Sequence, residues 1–237
     1  MLSLIEIKKY EVTHIEEPVT GVKIFRLTPL DGVIPKFISG QSVFLHIIDG
    51  DGSTIEKKPY SIASGPDKRY LEFCIKMVNG KVTGKLELVK LGDTVGLEAP
   101  KGRFVYNEEK NAAFIGGGTG IAPFMSMLRF INNKKIDGSF VVFYSVKTKD
   151  DILYGQELEE MSQSNPNIKV VITTTKDSVG WSGEQGRVNS SMIRKYIDST
   201  SSFDWWICGP LPMVKDMRAA LEETGADLKK LHVEAWG

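Results

Sequence analysis

The chain has 237 residues, with 30 Lys plus Arg balanced by 30 Asp plus Glu, so its formal net charge is zero. That length suits one large domain or two small ones of the usual ~100–200 residues. A composition of 41% hydrophobic and 25% charged residues excludes a disordered or low-complexity chain. The balanced charge argues against a nucleic-acid binder that relies on a global basic field.

The first half reads as short strands. "SLIEIKKYEVTHIE" (3–16), "VKIFRLTPL" (22–30), "SVFLHIID" (42–49), "KPYSIAS" (58–64), "YLEFCIKMV" (70–78) and "TVGLEAP" (94–100) are β-branched or aromatic runs. Turn residues separate them at 31–32, 49–52, 65–68 and 79–81. Only "TGKLELVKLG" (83–92) has helical character, ending at Gly92. Such a run of strands predicts a small barrel or sandwich.

The pattern changes after "YNEEKN" (106–111), which places a domain boundary there and predicts domains of 1–107 and 108–237. Strands at 111–118, 139–146, 168–175, 203–209 and 231–237 alternate with helices at 121–134, 152–164, 189–197 and 212–225. Asn189 or Ser190 would cap the third of these helices, and Gly225 would stop the fourth. Alternating strand and helix predicts a parallel sheet with helices on its faces. Cys74 and Cys208 lie far apart in apolar surroundings and read as buried, reduced thiols, with no metal-ligand spacing. No apolar run approaches the ~18–20 residues of a membrane span. The N-terminus carries charge too early for a signal peptide, so a cytoplasmic protein is expected.

"FIGGGTGIAPF" (114–124) is the strongest local signal. A buried strand ends at Ile115, then Gly116, Gly117, Gly118, Thr119 and Gly120 lead into a helix with Pro123 in its first turn. Glycines let a phosphate approach the backbone, and the helix start offers unpaired N–H groups, so a dinucleotide pyrophosphate is the expected ligand. In the usual dehydrogenase pattern an acidic residue ~20 positions on binds the ribose. Asp137 has that spacing but precedes the next strand, which instead ends in Ser145 and Lys147.

With its β-rich first half and "KPYSIAS", "GKVTGKL", "GGGTGIAP" and "CGPLPMV" in this order, the chain resembles the ferredoxin–NADP reductase superfamily over nearly all its length. The resemblance implies an antiparallel flavin-binding barrel followed by a nicotinamide-nucleotide domain, with the two ligands meeting between them. Lys58-Pro59-Tyr60-Ser61 matches the family's Arg-x-Tyr-Ser element. Tyr60 would stack on the isoalloxazine, Ser61 would hydrogen-bond the flavin N5 atom, and Lys58 would hold the flavin phosphate. Lysine is a less directional phosphate ligand than arginine, and Lys57 in a slipped arrangement is the alternative. Gly80-Lys81-Val82-Thr83 matches the turn over the flavin phosphates, with Thr83 capping the helix that follows.

The same resemblance places Cys208, Gly209 and Pro210 beside the nicotinamide, with the thiol near the C4 atom that gives up hydride, and adds Glu234 to the group around the reacting atoms. Trp236 would cover the second flavin face until nicotinamide displaces it, with Gly237 one residue beyond the family's aromatic position. Ser61, Cys208 and Glu234 are thus the candidate catalytic residues. His14, His46 and His232 carry no partner signal and read as structural or surface residues. Lys147, Thr175, Lys176 and Arg187 stand where the family reads the adenosine 2′-phosphate and favour NADPH. The neighbouring Asp150, Asp151 and Asp177 keep NADH as the alternative.

The expected function is an FAD-dependent NAD(P)H oxidoreductase that passes electrons to a separate acceptor such as ferredoxin, with FMN less expected than FAD. An oxygenase, a cytochrome or another flavoprotein are further acceptors in view. No cysteine cluster is present for an iron–sulfur centre, so such a centre would sit on another protein. The competing readings are a reductase that takes free flavin as substrate and a non-catalytic nucleotide-binding subunit.

Overall fold

Two hydrophobic periodicities, period two before residue 100 and alternating strand and helix after it, give two kinds of sheet. The computed structural model describes residues 6–176 and 179–236, so Asp177, Gly237 and the start of the first predicted strand lie outside the described residues. The chain divides into two units. The first holds the residues up to Tyr106 together with Met125–Phe130, and the second holds Asn107–Phe124 and everything from Ile131 onward.

The first unit contains β1 (Lys8–Val19), β2 (Val22–Pro29), β3 (Ser42–Ile48), β4 (Thr54–Ser61), β5 (Leu71–Lys76), α1 (Lys81–Leu86) and β6 (Thr94–Leu97). They form one antiparallel six-stranded sheet in the order β4-β3-β6-β1-β2-β5. The sheet curls so that the segment after β4 returns to β5, where Ala63 N–H donates to Glu72 O at 2.8 Å. Alternate residues point inward: Tyr10, Val12, Phe25, Leu27, Val43, Leu45, Phe73, Ile75, Val95 and Leu97 make the core, which Val82 and Leu86 of α1 join.

The predicted helix at 83–92 is displaced. α1 starts two residues earlier, after Gly80, and ends at Leu86. Only Val82, Thr83 and Leu86 of α1 are buried, enough for a little over one turn. Beyond it the chain must rejoin β1, which it does through Gly92 N–H to Val12 O at 2.9 Å. Thr83 is thus the third residue of the helix, and it closes the capping turn from inside: its Oγ1 accepts the N–H of the N-cap Gly80 at 3.0 Å.

The second unit contains β7 (Asn111–Gly117), β8 (Ser139–Val146), α3 (Gly155–Ser164), β9 (Ile168–Thr174), β10 (Glu184–Gln185), α4 (Ser190–Tyr196), β11 (Asp204–Pro210), α5 (Leu211–Thr224) and β12 (Leu231–Trp236). Helix α2 (Ile121–Lys134) begins here and contributes residues 125–130 to the first unit. The sheet is parallel, in the order β10-β9-β8-β7-β11-β12. One face, with Ala113, Ile115, Val141, Phe143, Trp205 and Ile207, packs on α4 and α5. On the other, Phe114 meets Trp206 and Phe124 of α2.

Two element details differ from expectation. α3 begins at Gly155, not 152, because Tyr154 takes a φ of 56° that breaks the helical path. The two-residue β10 is too short and polar to give an alternation signal. The cap of α4 is Asn189, whose side chain accepts the Met192 N–H at 2.9 Å. Gly225 stops α5 at a φ of 83°. Both cysteines are buried and unbridged. No helix of the described residues is long and apolar enough to cross a membrane.

Candidate functional site

In the second unit the strand order places the first strand, β7, centrally. β8 and β9 follow on one side, then the chain crosses over to β11 and β12 on the other. A reversal of this kind leaves a crevice at the carboxyl ends of the two strands flanking it, the general ligand position of open α/β sheets. The strands flanking it are β7 and β11, which end in the glycine run and in Cys208-Gly209-Pro210. Register then fixes the neighbours. Cys208 pairs with Gly116 on one side and Glu234 on the other, and Pro210 pairs with Trp236.

Three of these glycines are required by close packing of the protein itself, and a fourth faces open space. A Cβ on Gly120 would strike the Cys208 carbonyl and approach Trp236 Cη2 at 2.8 Å. A Cβ on Gly117 would meet Met213 Sδ at 2.5 Å, and one on Gly209 the same sulfur at 2.9 Å. Gly118 has a φ of 54° and open space around it. Gly118, Thr119 and Gly120 make a single tight turn leading directly into α2. A bare backbone turn at a helix start, with space before it, fits a phosphate-bearing ligand.

Cys208 Sγ lies 3.9 Å from Glu234 Oε2. Burial, reinforced by the Glu234 charge, pushes the thiol well above its ordinary value, so it stays protonated at neutral pH. Cys208 is therefore a small neutral contact and no nucleophile. His232 stacks on Trp206 with ring centroids 4.6 Å apart and serves the packing of that face.

The residues expected at the adenosine 2′-phosphate gather partly. Lys176 N–H donates to Lys147 O at 2.9 Å, which makes these two exposed lysines neighbours past the ends of β8 and β9. Thr175 joins them, its N–H and hydroxyl both donating to Val146 O. Arg187 is exposed after β10 and lies 3.5 Å from Asp216. Asp151 accepts from Thr148 N–H and Oγ1, so it closes its own turn; Asp150 is exposed. Thr174 Oγ1, at the end of β9, is buried with no hydrogen-bond partner among the described residues.

In the first unit Lys58, Pro59, Tyr60 and Ser61 close β4, which stands at the edge of the sheet beside β3. Lys58 and Tyr60 share one face and pair with Leu45 and Val43. Tyr60 is half-buried against the barrel core, and burial pushes its phenol up to about 12. Its Oη is buried with no hydrogen-bond partner among the described residues. An aromatic face at a sheet edge with an orphaned hydroxyl fits a planar ligand that brings its own polar groups. Ser61, half-buried, faces Ser42 across the ladder. Lys58 is exposed. Lys57 points to the other face from Lys58 and Tyr60 and binds Glu98 at 3.0 Å. Of the second element, Lys81 is exposed, 3.8 Å from Glu56, while Val82 and Thr83 are buried.

Sequence reasoning missed two buried charge clusters. His46, with Nδ1 at 2.8 Å from Thr54 Oγ1 and Nε2 at 3.0 Å from Glu98 Oε1, has partners after all. Lys57 and Lys101 complete that cluster on Glu98. An open groove of about 480 Å³ beside it is lined by Ile7, His46, Thr54, Ile55, Glu56 and Lys57, of which only Lys57 is a candidate, as the alternative phosphate ligand. The second cluster is Glu72 between Arg26 and Arg129. Its signal was a lone charge inside an apolar strand ("LEFCIK") and another inside an apolar helix ("FMSMLRFI").

Residues 9–106 match the oxidoreductase FAD-binding domain, and residues 114–219 match the oxidoreductase NAD-binding domain. The chain is 30% identical over 182 residues to NADH-cytochrome b5 reductase 1 of Mortierella alpina, covering 75% of this chain and 61% of that one. It is 31% identical over 191 residues to the anthranilate 1,2-dioxygenase electron transfer component of Acinetobacter baylyi, covering 79% and 54%. The chain thus spans less than two thirds of the length of either relative. A crystal structure of a ferredoxin NADP+ reductase from Neisseria gonorrhoeae with bound FAD and NADP shares the fold, with a TM-score of 0.84 at 20% identity over 98% of this chain and 99% of that one.

Proposed function

Because the chain belongs to the ferredoxin–NADP reductase superfamily, we propose that it oxidises NAD(P)H with bound FAD and delivers the electrons to a separate redox protein. The observation that carries this reading is the row Gly116–Cys208–Glu234, set by strand pairing at the carboxyl ends of β7, β11 and β12. When bound, FAD supplies the conversion from two-electron to one-electron chemistry. The protein's part is binding, orientation and proton placement.

Tyr60 offers the ring face and Ser61, next in the chain at the end of β4, a hydroxyl, with Lys58 and the turn Gly80–Thr83 for the flavin phosphates. Gly117, Gly118, Thr119 and Gly120 offer the backbone cradle for the nucleotide pyrophosphate. Cys208 stays protonated and can lie against a nicotinamide without competing for its hydride. Glu234 Oε2 accepts from that thiol and sets a carboxylate beside it. Trp236, 41% exposed beside Gly120, is a side chain that an incoming ring can displace.

For the nucleotide, Lys147 and Lys176 side by side support NADPH, while the name of the Mortierella alpina relative points to NADH. Lys176→Ala should raise the KM for NADPH about tenfold and leave that for NADH nearly unchanged. Equal loss with both nucleotides, in steady-state ferricyanide reduction, rejects the 2′-phosphate role.

The acceptor class is tested by mixing the purified protein anaerobically with each nucleotide and following the flavin absorbance, then adding a ferredoxin or a cytochrome b5. Bleaching followed by recovery on addition of one of these proteins is the expected result. Nucleotide binding without bleaching contradicts the reading. Exposed Lys58 in the place of arginine keeps free-flavin reduction as a second reading. Flavin that stays with the protein through gel filtration excludes it.

A further inference from the structure

The buried Glu72 cluster lies beside the segment that follows Tyr60–Ser61. Glu72, Ala63, Ser64 and Ser126 have no exposed surface, and Arg129 is 8% exposed. One nitrogen of Arg129, Nη1, donates both to Glu72 Oε1 at 2.7 Å and to Ala63 O at 2.8 Å. Glu72 Oε2 accepts from Arg26 Nε at 2.9 Å. Ala63 N–H in turn donates to Glu72 O at 2.8 Å. Ser64 is held at both of its oxygens: its carbonyl accepts from Ser126 Oγ at 2.8 Å and its hydroxyl accepts from Glu72 N–H at 3.1 Å. Ile62 N–H donates to Gln41 O at 3.0 Å. A Cβ on Gly65 would sit 3.4 Å from Arg129 Cβ and 2.5 Å from Asp67 Oδ1, so the chain passes close to the helix at this glycine.

Three residues in succession, Ile62, Ala63 and Ser64, are thus fixed by hydrogen bonds, immediately after Tyr60 and Ser61, the two assigned to the flavin in the proposed function. Stability alone does not account for an ionic cluster there, because well-packed apolar side chains of similar volume serve at least as well as buried charges. What an apolar trio cannot supply is a directed bond to the Ala63 carbonyl. We propose that Arg129, oriented by Glu72 and seconded by Ser126, is a positioning residue that sets the seat of the flavin ring through Ala63 and Ser64. The proposal rests on the reading of Tyr60 as the residue that stacks on the flavin.

The test is FAD affinity of the full chain, titrated by flavin fluorescence, with the visible circular dichroism of the bound flavin as the signature of its seating. Arg129→Met should weaken FAD about tenfold and alter that dichroism, since it removes a charge-assisted bond. Arg129→Lys should recover part of the affinity. Ser126→Ala, which removes one neutral bond, should cost about threefold. Thermal melting of each flavin-free variant separates seating from folding. If Arg129→Met melts below working temperature, Arg129→Lys and Ser126→Ala decide the matter. Unchanged FAD affinity and dichroism in well-folded variants overturn the proposal. Unchanged affinity in Tyr60→Ala overturns the placement of the flavin instead.

Discussion

At the scale of single residues, chemistry follows from what each side chain is denied. Cys208 is denied water, and burial with the adjacent Glu234 charge keeps its thiol protonated. Alkylation by iodoacetamide at neutral pH, mapped by mass spectrometry, should therefore modify Cys208 at least about tenfold more slowly in the native protein than in denaturant. Equal rates would show that the thiol is neither buried nor held neutral. The glycines of the turn are denied a Cβ for different reasons, so their alanine variants should rank. Gly120→Ala places a carbon on the Cys208 backbone, which cannot give way, and should cost about 3 kcal/mol or prevent folding. Gly118→Ala meets open space but keeps a positive φ, and should cost about 1–2 kcal/mol. Gly117→Ala presses only on the flexible Met213 side chain and should be the mildest for stability. Denaturant unfolding of the three variants checks the order.

At the scale of elements, the sequence exposed what repeats locally and hid what depends on distant partners. The bounds of α2 and β8 were legible to the residue, because their apolar spacing is long and uninterrupted. The predicted helix at 83–92 failed because leucines and lysines favour helix locally, whereas the route back to β1 requires a turn. In the site, the glycine turn was readable because strand, glycines and helix are contiguous in the chain. Glu72 and Arg129 were not, since they lie 57 residues apart and neither apolar segment says locally which charge it meets. The pairing of Cys208 with Glu234 was reached only through resemblance, and the parallel register of β11 and β12 supplies its physical cause. Ser61→Ala, an exchange at the end of β4, should slow flavin reduction in stopped flow with flavin content unchanged. An unaltered rate would remove Ser61 from the reacting group.

At the scale of the whole molecule, acid is the condition the fold is built against. Burial pushes Glu98 up, but Lys101, Lys57 and His46 outweigh it and bring its carboxyl down to about 2 from an ordinary 4.5. Glu72 moves the same way: burial raises it, and Arg129 and Arg26 more than reverse this. Carboxyls depressed in the native state stabilise it above their unfolded value, and that contribution is lost as pH falls from about 4.5 toward about 2. The parent protein should lose stability steeply through this window. Glu98→Gln should melt roughly 5–10 °C lower at neutral pH, because it leaves Lys57 and Lys101 beside a neutral group, and should show a flatter acid limb. Calorimetry across pH measures both, and a variant with the parent's slope would clear Glu98 of this role.

The register of β11 and β12 has a consequence for how the gene can drift. Cys208 faces Glu234 and Pro210 faces Trp236 because the two strands run in step. Between them lie α5 and a turn at 225–227, where a codon gained or lost changes only the length of a connection. One codon inserted between Leu231 and Val233 brings Val233 opposite Cys208 and sends the carboxylate to the far face of the sheet. Length variation among descendants of this sequence should therefore collect in the turn and be purged from the strand, although both are short and only a few residues apart.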